Sequence, residues 1–233
     1  MDPLHKGDVM KIVELFPEIA RRVREDHLGG GLITHHNFQH AYRVGQAAYT
    51  IALKQWGDEV VARKAGVAGL GHNADRLIRH QFGVVTTDAI RNLLSRWIGD
   101  EFADEGIAEV QHAVLNHGDI NRAGDDRVLI ALKDGDRYVN LALDIVMRSA
   151  LHFSTLPPLD SVYFLDAPGA TYNDPKSVLQ DVMASLDWVD PTSRVCIRTT
   201  AALRMAGPRA AALRFYRDTL LAQLKEEDAF PLS

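Results

Sequence analysis

The chain has 233 residues, a formal net charge of −5, and 46% hydrophobic against 24% charged residues. That length can bury a substantial core without covalent staples, and the single cysteine, Cys196, excludes an internal disulfide and a thiolate-rich zinc cage. The scattered basic residues leave no electrostatic footprint for a nucleic-acid duplex, and no apolar run nears the roughly 20 residues that span a bilayer.

The first residues lack the apolar region of a signal peptide, so the expected setting is the reducing cytoplasm, with no membrane partner. Val9 to Arg24 has the periodicity of an amphipathic helix, with Val9, Ile12, Val13, Phe16 and Ile19 on one side. Gly29-Gly30-Gly31 breaks it. His35-His36-Asn37 leads into a second helix from about Phe38 to Gln55, stopped near Gly57. Asp58 is a good N-cap for a third, Glu59 to about His72.

Thr87 or Asp88 can cap a fourth helix, Ala89 to Ile98, and Asp104 a fifth, Glu105 to His117. Asp125-Asp126 opens a sixth, Arg127 to about Ala150. Residues 154–176 contain Pro157-Pro158, Pro168-Gly169 and Asn173-Asp174-Pro175 and should form an extended loop, of a length common in lids and linkers. Its aromatic residues, Phe153, Tyr163, Phe164 and Tyr172, suit either stacking on a base or pinning the loop to a core. Ser177 to Leu186 should be helical, and a last helix should run from about Thr192 to Glu227, interrupted or kinked at Gly207-Pro208. No alternating strand pattern competes with this reading. The expected fold class is all-α, one domain over residues 1–233 with core motifs at 37–143, the loop at 154–176 and C-terminal helices at 177–227.

Four polar residues interrupt the apolar stripes. At about 100° per residue, His40 aligns with Val44, Ala47 and Ile51; His72 with Val61, Ala65 and Ala68; His117 with Val110, Ala113 and Val114. Asp136 falls between Leu129, Leu132, Val139 and Leu143. Asp134 lies about 200° away from it and is expected to point outward. Each of the four can have its own buried partner, for Asp136 the nearby Arg137 or Lys133. A single divalent ion would satisfy all four at once, since imidazole and carboxylate are its ordinary ligands, and the spacing favours that shared site.

His40-Ala41-Tyr42-Arg43-Val44, Gly69-Leu70-Gly71-His72-Asn73 and Lys133-Asp134-Gly135-Asp136-Arg137 together resemble the HD superfamily of metal-dependent phosphohydrolases. Ala113-Val114-Leu115-Asn116-His117 is similar to the helix that carries an additional His in many members. The resemblance implies an all-α scaffold in which His40, His72 and Asp136 are metal ligands and His117 is a further ligand or touches phosphate.

Where the family has Asp after the second His, this chain has Asn73. An Asn carbonyl can ligate but brings no charge, so Asn73 is the positional equivalent and Asp75 a carboxylate that could stand behind it. The implied reaction is hydrolysis of a small phosphate ester, nucleotides among the candidates, by a water activated on the metal. Arg76 is the leading cation for the phosphoryl oxygens; Arg43, Lys133 and His36 are candidate substrate contacts. Donors of this kind suit Mn, Fe, Co, Ni, Zn or Mg. Two other readings remain: a catalytically weakened module that binds a ligand or partner through the same pocket, and a di-iron oxygenase of the same fold. A homo-oligomer is compatible with all three.

Overall fold

Pro17 decides the first departure from the expected pattern. It has no amide hydrogen and disfavours helical geometry in the residue before it, so the helix expected over Val9 to Arg24 is two pieces. These are α1 (Ile12–Leu15) and α2 (Pro17–Gly29), separated by Phe16 at φ −132° and ψ 61°. The computed structural model describes residues 9–31, 36–171 and 173–231. His35 and Tyr172, singled out above, fall outside the described residues.

After the Gly30-Gly31 turn come α3 (Phe38–Trp56), α4 (Glu59–Gly71), α5 (Ala74–Phe82), α6 (Thr87–Ile98), α7 (Asp104–Asn116) and α8 (Arg127–Asn140). Then follow α9 (Ile145–His152), α10 (Val178–Ala184) with a 3₁₀ turn at Ser185–Val189, and α11 (Thr200–Glu226). The class is all-α: among the described residues the only extended pairings are two isolated bridges, Asp160 with Phe164 and Thr171 with Asp174. No described helix is long and apolar enough to cross a membrane. The chain comprises two compact units, Met1–Asp136 and Arg137–Ser233.

Capping explains most of the helix starts. Asn37 Oδ1 accepts from the His40 amide at 3.0 Å, and Asp58 Oδ1 accepts from the Val60 and Val61 amides at 3.1 Å. Gly57 ends α3 in the left-handed region at φ 64°. The cap of α6 is Thr86, one residue before the expected Thr87 or Asp88, and its hydroxyl accepts from the Ala89 amide at 3.2 Å.

Three other expectations are corrected. The third helix stops at Gly71 and α5 begins at Ala74, so Asp75 and Arg76 do not share a helix with His72. The sixth breaks after Asn140, where Leu141, Ala142 and Ile145 make tight three-residue turns before α9. The last starts at Thr200, capped by Thr199, and Pro208 lies inside it without ending it.

In the first unit α3 and α4 pack at close range because glycines face one another. A Cβ on Gly69 would lie 2.6 Å from the Gly45 Cα, and one on Gly45 would lie 2.8 Å from the Gly66 carbonyl oxygen. Gly135 plays the same part on α8, where a Cβ would meet the Ala48 amide nitrogen at 2.9 Å. These approaches bring α4 and α8 against α3 and so set the spacing of the side chains they carry. In the second unit the long segment before α10 is non-helical, as expected. Phe164 is buried against Phe230, with ring centroids 5.5 Å apart, whereas Tyr163 is exposed. Of these two aromatics, Phe164 pins the loop to the core.

Candidate metal centre

Three of the four stripe-breaking residues meet at donor-atom range. His40 sits in the first turn of α3, and its Nε2 lies 3.3 Å from Asp136 Oδ1. His72 is the residue at which α4 ends, and its Nε2 lies 4.0 Å from the same oxygen. One ligand atom from each of the three falls within 4.8 Å of the others. Bonds of about 2.0–2.2 Å to a common ion place ligand atoms about 3–3.5 Å apart, so the trio is near that size before any ion draws it in.

The orientation of the imidazoles follows from their helix ends. The last carbonyls of a helix have no partner within it, and His72 Nδ1 takes that of Gly69 at 2.6 Å. His117, where α7 ends, does the same with Val114 at 2.6 Å. A carbonyl only accepts, so Nδ1 carries the proton and Nε2 keeps its lone pair, the form in which a histidine ligates. His72 Nε2 is buried and has no hydrogen-bond partner. A buried orphan acceptor facing a carboxylate is costly by itself and is what a cation would relieve.

The electrostatics agree. Burial is the main influence on His72 and pushes its pKa down to about 3, outweighing the attraction of Asp136. The ring therefore stays neutral at ordinary pH. Burial alone would raise the Asp136 carboxyl, but the hydrogen bond from His40 and the neighbouring His72, His40 and His117 hold it well below the usual carboxylate range. The centre is therefore two nitrogen donors and one carboxylate anion, 26% exposed at Asp136 and closed on the histidine side.

His117 stands edge-on to His72, ring centroids 5.5 Å apart, and His36 stands edge-on to His40 at 5.9 Å. Neither belongs to the three-residue ligand set. Asn73 is 1% exposed and its Nδ2 donates to the His36 carbonyl at 3.2 Å. Asp75 pairs with Arg76 at 3.5 Å, and the Arg76 side chain is about half exposed. Arg43 is half-buried on α3, three residues beyond His40.

Two residues lie differently from the sequence reading. Lys133 is buried, held by Asp125 Oδ2 at 3.0 Å and the Ile120 carbonyl at 3.1 Å, and so is committed away from substrate. Asp134, expected to face out, is fully buried, because α8 is covered on every side between Val128 and Asn140 apart from partial exposure at Ile130, Asp136 and Tyr138. The stripe rule turned Asp136 inward, and its Oδ1 does lie beside His40 and His72, but the rule supposed a solvent face that α8 lacks. Sequence reasoning also passed over His27, which is buried against Trp97 and bonds the Val23 carbonyl at 2.8 Å. It lies beyond the point where the first helix was expected to stop.

No protein-family model matches the chain, and no curated protein matches it. A solved structure does: the crystal structure of a structural-genomics target from Lactobacillus plantarum, 12% identical, with a TM-score of 0.59 over 93% of this chain and 97% of that one. The likeness is one of fold. At that identity it carries no residue of the centre from one protein to the other.

Proposed function

We propose that the protein is a metal-dependent phosphohydrolase of the HD type, acting on a small phosphate ester such as a nucleotide, in the cytoplasm. The observation that carries this reading is the convergence of His40, His72 and Asp136, with the buried and unpartnered Nε2 of His72 at its heart. These three residues would hold a divalent cation, which when bound lowers the pKa of a water and polarises a phosphoryl oxygen.

The chain's own residues supply the rest. Asp136 stays anionic across the working pH range and gives the centre its negative charge. The Gly69 carbonyl keeps His72 in the ligating tautomer. His117 has its Nδ1 committed to Val114, which leaves Nε2 to exchange a hydrogen bond with a phosphate oxygen. Arg43, three residues beyond His40 on α3, is the cation assigned to charge on the phosphoryl oxygens, while Arg76 pairs with Asp75.

A second reading, a ligand-binding module with little or no turnover, is favoured by one observation. Asn73 contributes an amide where the doublet of the family has a carboxylate, so the centre has one anionic group fewer. Hydrolysis of a panel of phosphomonoesters and nucleotides with added Mn²⁺ or Co²⁺ separates the two. Metal-dependent phosphate release that disappears in His72→Ala is the expected result. Tight ligand binding with no release under any metal supports the module instead.

A further inference from the structure

The partner of Asn73 gives its departure from the His-Asp doublet a role. Its Nδ2 donates to the backbone carbonyl of His36, 37 positions earlier, which ties the α4–α5 turn to the chain entering α3. A carbonyl cannot donate, so position 73 calls for a donor. A carboxylate there would set two acceptors against each other in a place that is 1% exposed, where an unpaired charge is expensive. The residue so held, His36, lies edge-on to the ligand His40, its ring inclined at 71°. Charge points the same way. Among the described residues the ligand set contains one carboxylate, Asp136, and two adjoining dications would repel with no second anionic group to bridge them.

We propose that Asn73 is a positioning residue that clasps His36 beside the centre and is not a ligand, so that the centre takes one divalent cation through His40, His72 and Asp136. This rests on the metal-centre reading above. The two can fail separately.

The test titrates chelator-stripped protein with Mn²⁺, counts bound metal per chain, records imidazole NMR signals, and melts the metal-free protein. The natural chain should take up one ion. Asn73→Ala should still take up one, weakened by about 10–100-fold, as expected for a residue behind the ligands, while His72→Ala loses binding. The ring signals of His36 should shift in Asn73→Ala while those of His27 hold, a change that general destabilisation would not confine to one ring. Metal-free Asn73→Asp should melt below the natural chain.

Two ions per chain, or loss of metal in Asn73→Ala to the extent seen in His72→Ala, would overturn the single-ion assignment. An unshifted His36, or Asn73→Asp melting at or above the natural chain, would overturn the clasp. A natural chain that binds no Mn²⁺ would sink the metal-centre reading and the ion count with it. The His36 signals and the metal-free melting would then still decide the clasp.

Discussion

Lys133 is a cation three residues from Asp136, and its surroundings commit it to the fold. Lys133 Nζ is enclosed by Asp125 and the Ile120 carbonyl, so it holds the connection between α7 and α8. Lys133→Met should cost about 3–5 kcal/mol, because it removes the buried cation that faces the Asp125 carboxylate at 3.0 Å; urea unfolding measures it, and an unchanged midpoint would return Lys133 to the list of substrate contacts. His72 makes a second residue-scale prediction. Its folded pKa of about 3 lies below the ordinary 6.5, so between those values the unfolded chain binds the extra proton. With chelator present, stability should therefore fall as pH drops through that window, by up to about 1.4 kcal/mol per pH unit from this group. His27, also lowered by burial, adds to the fall with the same sign. His72→Phe should flatten the slope, and an equal slope in both proteins would contradict the neutral, buried assignment. Residues that break an apolar stripe were legible without coordinates, which is why His40, His72 and Asp136 could be chosen. Pairings across the fold were not: nothing in the local sequence joins Lys133 to Asp125 or Asn73 to the His36 carbonyl.

Helices were legible where a cap or a glycine marks them. Gly57 and Asp58 mark the end of α3 and the start of α4 to within a residue, whereas α2 runs on to Gly29, well past the expected Arg24. The break after Asn140 has no proline or glycine to announce it, and the turn at His72-Asn73 is hidden because neither residue is a helix breaker. That turn shapes the proposed centre. It takes Asp75 and Arg76 off the face of His72 while freeing the Gly69 carbonyl to fix the imidazole. The contact of α3 with α4 sets the distance between His40 and His72, so Gly69→Ala should disturb both stability and site. The added Cβ would press on Gly45 backbone, which cannot yield as a side chain can. A loss of about 1–3 kcal/mol is expected, together with weaker metal binding. Unchanged stability by denaturant titration would mean the helices can separate freely and that their glycines do not set the spacing.

At the scale of the whole molecule, an all-α fold shared with a protein only 12% identical shows that the helical pattern tolerates wide change in sequence. Fold likeness of this depth cannot assign chemistry, which lives in particular side chains. The three side chains that converge here, His40, His72 and Asp136, all belong to the unit Met1–Asp136. The sequence reading treats the chain as one domain, and chain connectivity alone gives no sign of the unit boundary, which falls inside α8. The most direct test of the account is the metal content of protein purified without chelator or histidine tag, beside His72→Ala. The expected result is about one divalent transition metal per chain, lost in the variant. No bound metal in the natural protein, even after incubation with excess Mn²⁺ or Fe²⁺, would contradict it.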